Sequence, residues 1–298
     1  DICNGRAEDK VYFSSLKLLS DCLASVYEKK VIILIDEYDV PLETAYFNGF
    51  YEPMVNLIRS VFESALKTNS SLELAVLMGC LRISKESIFT GLNNLSVCSI
   101  HNNAFSQYFG FTESEVRKML EYYSLSDRFN EIKKWYDGYR FGRTEIYNPW
   151  SIVQYCNSAL HNEEESLQPY WSNTSSNSVI RKLITEADDS VREKVEELMS
   201  GESICVPIYE DSVYADIDED KKQIWSFLLF TGYLKSVNLR NINDILHADL
   251  VIPNVEIRTI YQRSILQWFD EKLEADPRTE LFEALLNGNV TRIEDIIC

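Results

Sequence analysis

Apolar and polar positions along the chain predict alternating helices and strands in the N-terminal third. Residues 31–35 are five consecutive aliphatic side chains, a pattern typical of a strand buried on both faces of a parallel sheet. Apolar residues recur at helical spacing from about 14 to 28 and again after Pro53. The mostly apolar runs 72–78 and 97–100 predict two more strands. This order indicates an α/β sheet, covered by helices, with residues 31–35 as its central strand.

Three carboxylates follow this central strand directly: Asp36, Glu37 and Asp39. Ligands of parallel sheets bind outside the carboxyl ends of the strands. An acid at such a position can hold a hydrated Mg²⁺ ion while its neighbour orients a water molecule, as in a Walker B motif. The alternative is that these acids merely begin a surface loop.

A second predicted region begins near Thr112, where Thr112 and Glu115 have the spacing of a capping box. Two helices are expected there. They precede a hairpin that turns at Gly142-Arg143 and leads to Asn148 as the N-cap and Pro149 in the first turn of another helix. We interpret this region as a helical lid with a hairpin.

Residues 161–175 have the composition of a linker, and helices with a few short strands follow. The expected helices lie near 177–186, 189–200, 219–230, 254–273, 277–287 and 290–297, and the expected strands near 204–209, 233–237 and 250–252. Helices around a small β-element favour an α-rich, winged-helix-like module. The many acids in this part favour a role towards protein rather than DNA.

Composition narrows the possible functions. The 298 residues carry a net charge of −18, which disfavours nonspecific binding to nucleic acid. Seven scattered cysteines and three histidines, without a C-x-x-C pair, favour reduced thiols in a cytoplasmic protein over a zinc site or a disulfide framework. No stretch approaches the roughly 18 uncharged apolar residues of a membrane span.

Several motifs along the chain point to one family: Leu34–Asp39, Gly79–Lys85 and Ser87–Leu95, and downstream Trp135–Gly142, Tyr147–Pro149, Tyr170–Ser175, Gly232–Leu234 and Ile252–Glu256. Together they resemble the AAA-ATPase-like family of bacterial proteins, predicted P-loop ATPases that are often fused to a C-terminal PD-(D/E)XK nuclease-like domain. It implies a P-loop NTPase-type parallel sheet covered by helices. The expected organisation is an ATPase-like core at 1–110, a helical lid at 111–165 and the winged-helix-like module at 166–298.

The resemblance also implies roles for individual residues. Asp36 would hold Mg²⁺, Glu37 would polarise the attacking water, Arg82 would act as a sensor on the γ-phosphate of ATP, and Asn94 would be a polar sensor contact. Arg82 could instead form an ion pair with a nearby carboxylate, and Asn93-Asn94 could simply form a turn. Tyr147-Asn148-Pro149 is either a nucleotide-sensing element or an aromatic corner that packs the lid against the core.

One feature of the family is missing: the chain has no G-x-x-x-x-G-K-[ST] phosphate-binding loop, and none of its ten glycines precedes a lysine. We expect that the family's N-terminal part, with Walker A, is absent here, so that ATP binding and hydrolysis require that upstream segment. The alternative is a non-enzymatic regulatory scaffold that keeps the ATPase fold. Expected partners are ATP and either another protein or the missing domains. Two E-x-K triplets, at Glu28 and Glu131, fall on predicted helices or their ends, which disfavours a nuclease site at either position.

Overall fold

The computed structural model describes residues 4, 8–67, 69–81, 88–89, 92, 95–161, 167–173, 189–211, 222–272 and 275–297. Its helices are α1 Asp9–Phe13, α2 Ser15–Tyr27, α3 Val40–Phe47, α4 Tyr51–Phe62, α5 Glu113–Tyr122, α6 Phe129–Tyr136, α7 Pro149–His161, α8 Asp189–Ser200, α9 Gln223–Phe230, α10 Val255–Lys272, α11 Ala275–Leu286 and α12 Val290–Ile297. Its strands are β1 Val31–Ile35, β2 Leu72–Leu77, β3 Tyr139–Phe141, β4 Thr144–Ile146, β5 Ile204–Pro207, β6 Lys235–Ile242 and β7 Ile245–Val251. The protein is therefore mixed α/β with small sheets.

The chain divides into two compact units, each built from two segments. Unit 1 comprises residues 1–104 and 205–250, and unit 2 comprises residues 105–204 and 251–298. The division expected from the sequence, with boundaries at 110 and 165, instead cuts the chain into consecutive pieces.

In unit 1, β1 and β2 form a parallel pair in which Ile33 lies opposite Ala75 and Ile35 opposite Leu77. Ile33 is buried at 6% exposure, but its neighbours Ile32 and Leu34 are 57% and 69% exposed. The prediction that this strand is buried on both faces is therefore wrong. A strand is buried on both faces only when other elements cover both faces. In the described part of the chain, only the face of β1 that carries Ile33 is covered.

The predicted strand at 97–100 is also wrong, because residues 95–99 form no strand. The Asn102 side chain accepts a hydrogen bond from the Ser99 backbone N–H at 2.7 Å, and the Asn102 N–H bonds back to the Ser99 carbonyl at 3.0 Å. An asparagine that bonds the nearby backbone in this way stabilises a turn and competes with a strand.

The second segment of unit 1 contains a sheet with the strand order β5-β7-β6. Asn243 and Asp244 connect β6 to β7, and both have positive φ angles, of 52° and 63°. Asparagine and aspartate tolerate this conformation better than other residues with a side chain, which suits them to a two-residue turn. The sequence pattern predicts strands near 233–237 and 250–252 but does not predict this turn.

Unit 2 is organised around a buried cluster contributed by α5, α6, α7 and the segment near Tyr170. The cluster consists of Val116, Leu120, Phe129, Ile132, Tyr136, Tyr147, Ile152, Tyr155, Cys156 and Tyr170. The capping box is confirmed, since Glu115 accepts the Thr112 backbone N–H at 2.9 Å. The hairpin is confirmed as the antiparallel pair of β3 and β4. The predicted helix at 177–186 lies outside the described residues.

Described helices include none with the length and apolar character needed to cross a membrane. The cysteines at 22, 80, 98, 156 and 205 are free thiols.

Candidate functional site

The strongest candidate site lies where β1 and β2 end side by side. Because the strands are parallel, their carboxyl ends meet at one edge of the sheet. The backbone pairing continues past both strands: Met78 N–H donates to the Ile35 carbonyl at 2.9 Å, and Tyr38 N–H donates to the Met78 carbonyl at 3.1 Å. The segment after β1 is thus held against the segment after β2.

Asp36 and Glu37 follow β1 directly, and both are exposed. The Asp36 Oδ1 atom accepts the Glu37 backbone N–H at 2.9 Å. Glu37 has a φ angle of 51°, in the left-handed region that costs a residue with a side chain about 1 kcal/mol. Neither acid forms an ion pair within the part of the chain that the structure describes. Two adjacent carboxylates are therefore open to a ligand at the end of the parallel pair.

Asp39 behaves differently, because it is buried at 3% exposure. Its Oδ2 atom accepts the backbone N–H groups of Cys80 and Leu81, each at 2.9 Å. Burial raises the pKa of this carboxyl, the two N–H bonds counteract that rise, and the negative charge of Asp36 adds to it. Asp39 is therefore committed to the loop after β2 and is not open to a metal ion.

Tyr38 and Gly79 complete this connection. The buried Tyr38 hydroxyl donates to the Leu81 carbonyl, and the ring meets Phe62 and Phe89 edge-on at centroid distances of 6.4 and 5.4 Å. A Cβ atom on Gly79 would lie 2.5 Å from Asp39 Oδ1 and 2.7 Å from Tyr38 Cε1. Only glycine fits at this position without displacing these side chains.

The predicted phosphate contacts Arg82 and Asn94 lie outside the described residues, and so does Asn93. Their roles stay predictions. Arg82 directly follows Leu81 in the sequence, and Leu81 is fixed by both Tyr38 and Asp39.

The two carboxylates of Asp36 and Glu37 suit Mg²⁺ better than a metal ion whose ligands all come from the protein. Among the described residues no group of three or more His, Cys, Asp or Glu side chains is placed to hold a metal ion. Mg²⁺ is usually bound by one or two carboxylates, with waters and substrate phosphates supplying the other ligands. Asp36 and Glu37 fit such a site, whereas these 298 residues contain no Walker A loop for the phosphates.

Sequence reasoning missed a second polar cluster, which lies in unit 2. Glu256 is fully buried and accepts the Ser151 hydroxyl at 2.8 Å and the Trp171 backbone N–H at 2.9 Å. Nearby in the sequence, the Asn254 side chain donates to the Asp137 carbonyl at 2.8 Å. A signal for this cluster is present in the sequence, because three of the downstream motifs contain Asp137, Trp171, and Asn254 with Glu256.

Comparison with known proteins gives a family match for the segment that contains the candidate site. Residues 3–89 match the profile of a family described as predicted AAA-ATPase, which confirms the AAA-ATPase-like resemblance over this range. The chain is also similar to an uncharacterized protein in the vnfD 5′ region of Azotobacter chroococcum mcd 1, with 24% identity over 271 residues. The aligned part is 90% of this chain but 49% of that protein, so the chain spans about half the length of this relative. No solved structure matches.

Proposed function

We propose that this chain is part of an ATP-binding and ATP-hydrolysing module, in which Asp36 holds Mg²⁺ and Glu37 orients the attacking water. The observation that carries the proposal is the pair of adjacent, exposed carboxylates at the carboxyl end of β1, within the segment that matches the predicted AAA-ATPase family. Exposed acids at this edge of a parallel sheet are suited to a ligand rather than to the core.

Each acid has a distinct task in this proposal. Mg²⁺ bound with ATP would neutralise charge on the phosphate oxygens. The Asp36 carboxylate supplies the hard oxygen ligand that this ion prefers. Glu37 would accept a hydrogen bond from the water that attacks the γ-phosphate, so it acts only after the nucleotide is bound. Arg82 and Asn94 would contact phosphate oxygens, because a guanidinium or an amide N–H can donate to them.

The phosphate-binding loop is the part that these 298 residues do not supply. We place it in the complete gene product, upstream of the described fold. A protein partner, or a further part of the same polypeptide, would respond to the nucleotide state. The net charge of −18 makes direct binding of nucleic acid by this segment unfavourable. Reduced thiols would suit a cytoplasmic location.

The test compares Glu37→Gln and Asp36→Asn in the complete gene product, with ATP affinity and turnover measured side by side. Glu37→Gln keeps the shape but removes the charge, so affinity is retained while turnover falls at least about 10²-fold. Asp36→Asn weakens the Mg²⁺-dependent binding of ATP, and turnover falls with it.

Glu73→Gln is the matched control, because Glu73 is an exposed acid on the neighbouring strand. Its affinity and turnover should equal those of the unmodified protein. Unchanged turnover in Glu37→Gln would contradict the proposal and favour a non-enzymatic scaffold that keeps the fold.

A further inference from the structure

The loop after β2 is held by side chains that follow β1. Strand β2 ends at Leu77, and the regular backbone pairing stops soon afterwards. Beyond it, Asp39 binds the N–H groups of both Cys80 and Leu81, and Tyr38 binds the Leu81 carbonyl. Both polar backbone groups of Leu81 are thus satisfied by side chains that lie about forty positions earlier in the sequence.

Asp39 makes these bonds instead of capping its own helix. It occupies the N-cap position of α3, where an aspartate side chain normally accepts an N–H from the first helical turn. Its side chain forms no such bond, while its backbone carbonyl accepts the Leu42 and Glu43 N–H groups, each at 3.0 Å. The carboxylate reaches across to the loop after β2 instead.

The close approach also depends on Gly79. A Cβ atom at this position would overlap both Asp39 and Tyr38. The burial of a carboxylate is costly unless its oxygen atoms are hydrogen-bonded, and the two N–H groups offset that cost. The arrangement therefore fixes the backbone immediately before Arg82.

We infer that Asp39 is a positioning residue of the proposed ATPase site, which fixes the backbone of Cys80 and Leu81 and thereby the point from which Arg82 extends. The inference rests on the proposed function. It differs from the roles of Asp36 and Glu37, because Asp39 acts through the protein backbone and not on the metal or the water. A shift of about 1 Å in a group that stabilises the transition state can lower turnover by up to about 10²-fold.

The test uses the complete gene product and two substitutions that both preserve a good N-cap for α3. In Asp39→Ser the side chain is too short to reach residues 80 and 81. In Asp39→Asn the amide oxygen can still accept both N–H groups. We expect Asp39→Ser to lower kcat at least about 10-fold with a smaller change in KM, and Asp39→Asn to restore kcat to within about threefold of the unmodified protein.

A double-mutant cycle with Arg82→Ala separates positioning from a general loss of stability. If Asp39 acts through Arg82, Asp39→Ser has little further effect on kcat once Arg82 is replaced. Glu256→Ala is the matched control, because it also removes a buried carboxylate that accepts a backbone N–H, but in unit 2. It should lower thermal stability and leave the kcat of the folded protein unchanged.

The outcomes distinguish this inference from the proposed function. The inference would be overturned if Asp39→Ser kept the kcat of the unmodified protein. It would also be overturned if the effects of Asp39→Ser and Arg82→Ala on the free energy of activation were additive. Either result would leave the ATPase proposal intact. An unmodified protein that hydrolyses no ATP would overturn both.

Discussion

Burial separates the acids of this protein into two kinds. Asp36 and Glu37 are exposed, and among the described residues they accept no backbone N–H from outside their own pair. Asp39 and Glu256 are buried, and each accepts backbone N–H groups from distant parts of the chain. A buried carboxylate needs such partners, while an exposed one needs none because water solvates it. The exposed pair is therefore available to a ligand, and the buried acids connect elements of the fold.

Glu256 is the buried acid whose protonation is expected to affect the pH dependence of stability. Burial raises the pKa of its carboxyl to about 7, although the N–H groups of Trp171 and Tyr170 and the Ser151 hydroxyl oppose that rise. Between its ordinary pKa of 4.5 and 7, the folded protein therefore binds more protons at this site than the unfolded chain does. Under linkage, stability then falls as the pH rises through this window.

We predict that Glu256→Gln reduces the pH dependence of unfolding. In the unmodified chain, this one group should lower the free energy of unfolding by roughly 3 kcal/mol between pH 4 and pH 8. Glutamine keeps an acceptor for the Trp171 N–H but carries no charge, so this contribution disappears. Urea denaturation at several pH values from 4 to 8 measures the difference.

Glu73→Gln serves as the control for this measurement, because it makes the same change of side chain at an exposed position. It should show the pH dependence of the unmodified chain. Parallel curves for Glu256→Gln and the unmodified chain would mean that Glu256 titrates alike in the folded and unfolded states.

At the scale of elements, features set by a few neighbouring residues could be predicted from the sequence. The capping box at Thr112 and Glu115, the β3–β4 hairpin, and the start of α7 at Pro149 all occur as expected. The Asn148 side chain accepts the Trp150 N–H at 3.0 Å, as an N-cap does. These outcomes depend on hydrogen bonds between residues close in sequence, so local patterns are sufficient.

Features that depend on distant neighbours could not be predicted in the same way. The run 31–35 forms a strand with a parallel partner, as expected, but its composition could not reveal that Ile32 and Leu34 are exposed. The segment 97–100 is apolar enough for a strand, yet Asn102 holds a turn there instead. Whether an apolar segment joins a sheet is decided by which backbone groups lie beside it.

The exposed face of the β1–β2 pair allows a direct test. Leu34 lies opposite Val76 on this face, and their exposed fractions are 69% and 39%. We predict that Leu34→Thr changes the free energy of unfolding by less than about 1 kcal/mol, because little apolar area is buried there. It should also reduce the binding of a hydrophobic dye, since apolar surface is removed.

Ile33→Thr on the opposite face of the same strand is the matched comparison. Ile33 is 6% exposed, and its replacement should cost about 2 kcal/mol or more through lost packing and a buried hydroxyl. Equal losses for the two variants would show that Leu34 is covered as well.

At the scale of the whole molecule, each unit joins segments that are far apart in the sequence. In unit 2, Ser151 and Glu256 are bonded across 105 positions, and Asp137 and Asn254 across 117. Boundaries inferred from composition divide the chain into consecutive segments. They cannot represent a unit that is built from two segments far apart in the sequence. The downstream motifs that contain Asp137, Trp171 and Glu256 meet in unit 2 for this reason, whereas Gly232–Leu234 belongs to unit 1.

The candidate site shows the same limit. That Asp36 and Glu37 lie at the end of a parallel strand could be predicted, because they directly follow a recognisable apolar run; their roles stay predictions. The hydrogen bonds from Cys80 and Leu81 to Asp39 could not be predicted, because these residues follow Asp39 by 41 and 42 positions and no local pattern links them. The predicted phosphate contacts Arg82 and Asn94 are outside the described residues, so the site rests on its two acids and on the backbone that Asp39 holds.

The chain of 298 residues alone should bind Mg-ATP weakly and hydrolyse none. It contains no Walker A sequence, so the backbone N–H groups and the lysine that normally bind the β- and γ-phosphates are not provided. The net charge of −18 and the exposed acids at the end of β1 repel a triphosphate unless Mg²⁺ compensates. Calorimetry should detect no saturable binding below about 1 mM, which corresponds to a binding free energy of about −4 kcal/mol.

The same titration on Arg82→Ala and Asp36→Asn makes the result decisive. If the phosphates depend on a loop outside these residues, neither substitution changes the weak signal measurably. Micromolar binding that Arg82→Ala abolishes would instead mean that this chain assembles its own phosphate site around Arg82, since one guanidinium can bind a phosphate with two parallel hydrogen bonds. In that case the exposed acids and the arginine would form a site that works without a Walker A loop.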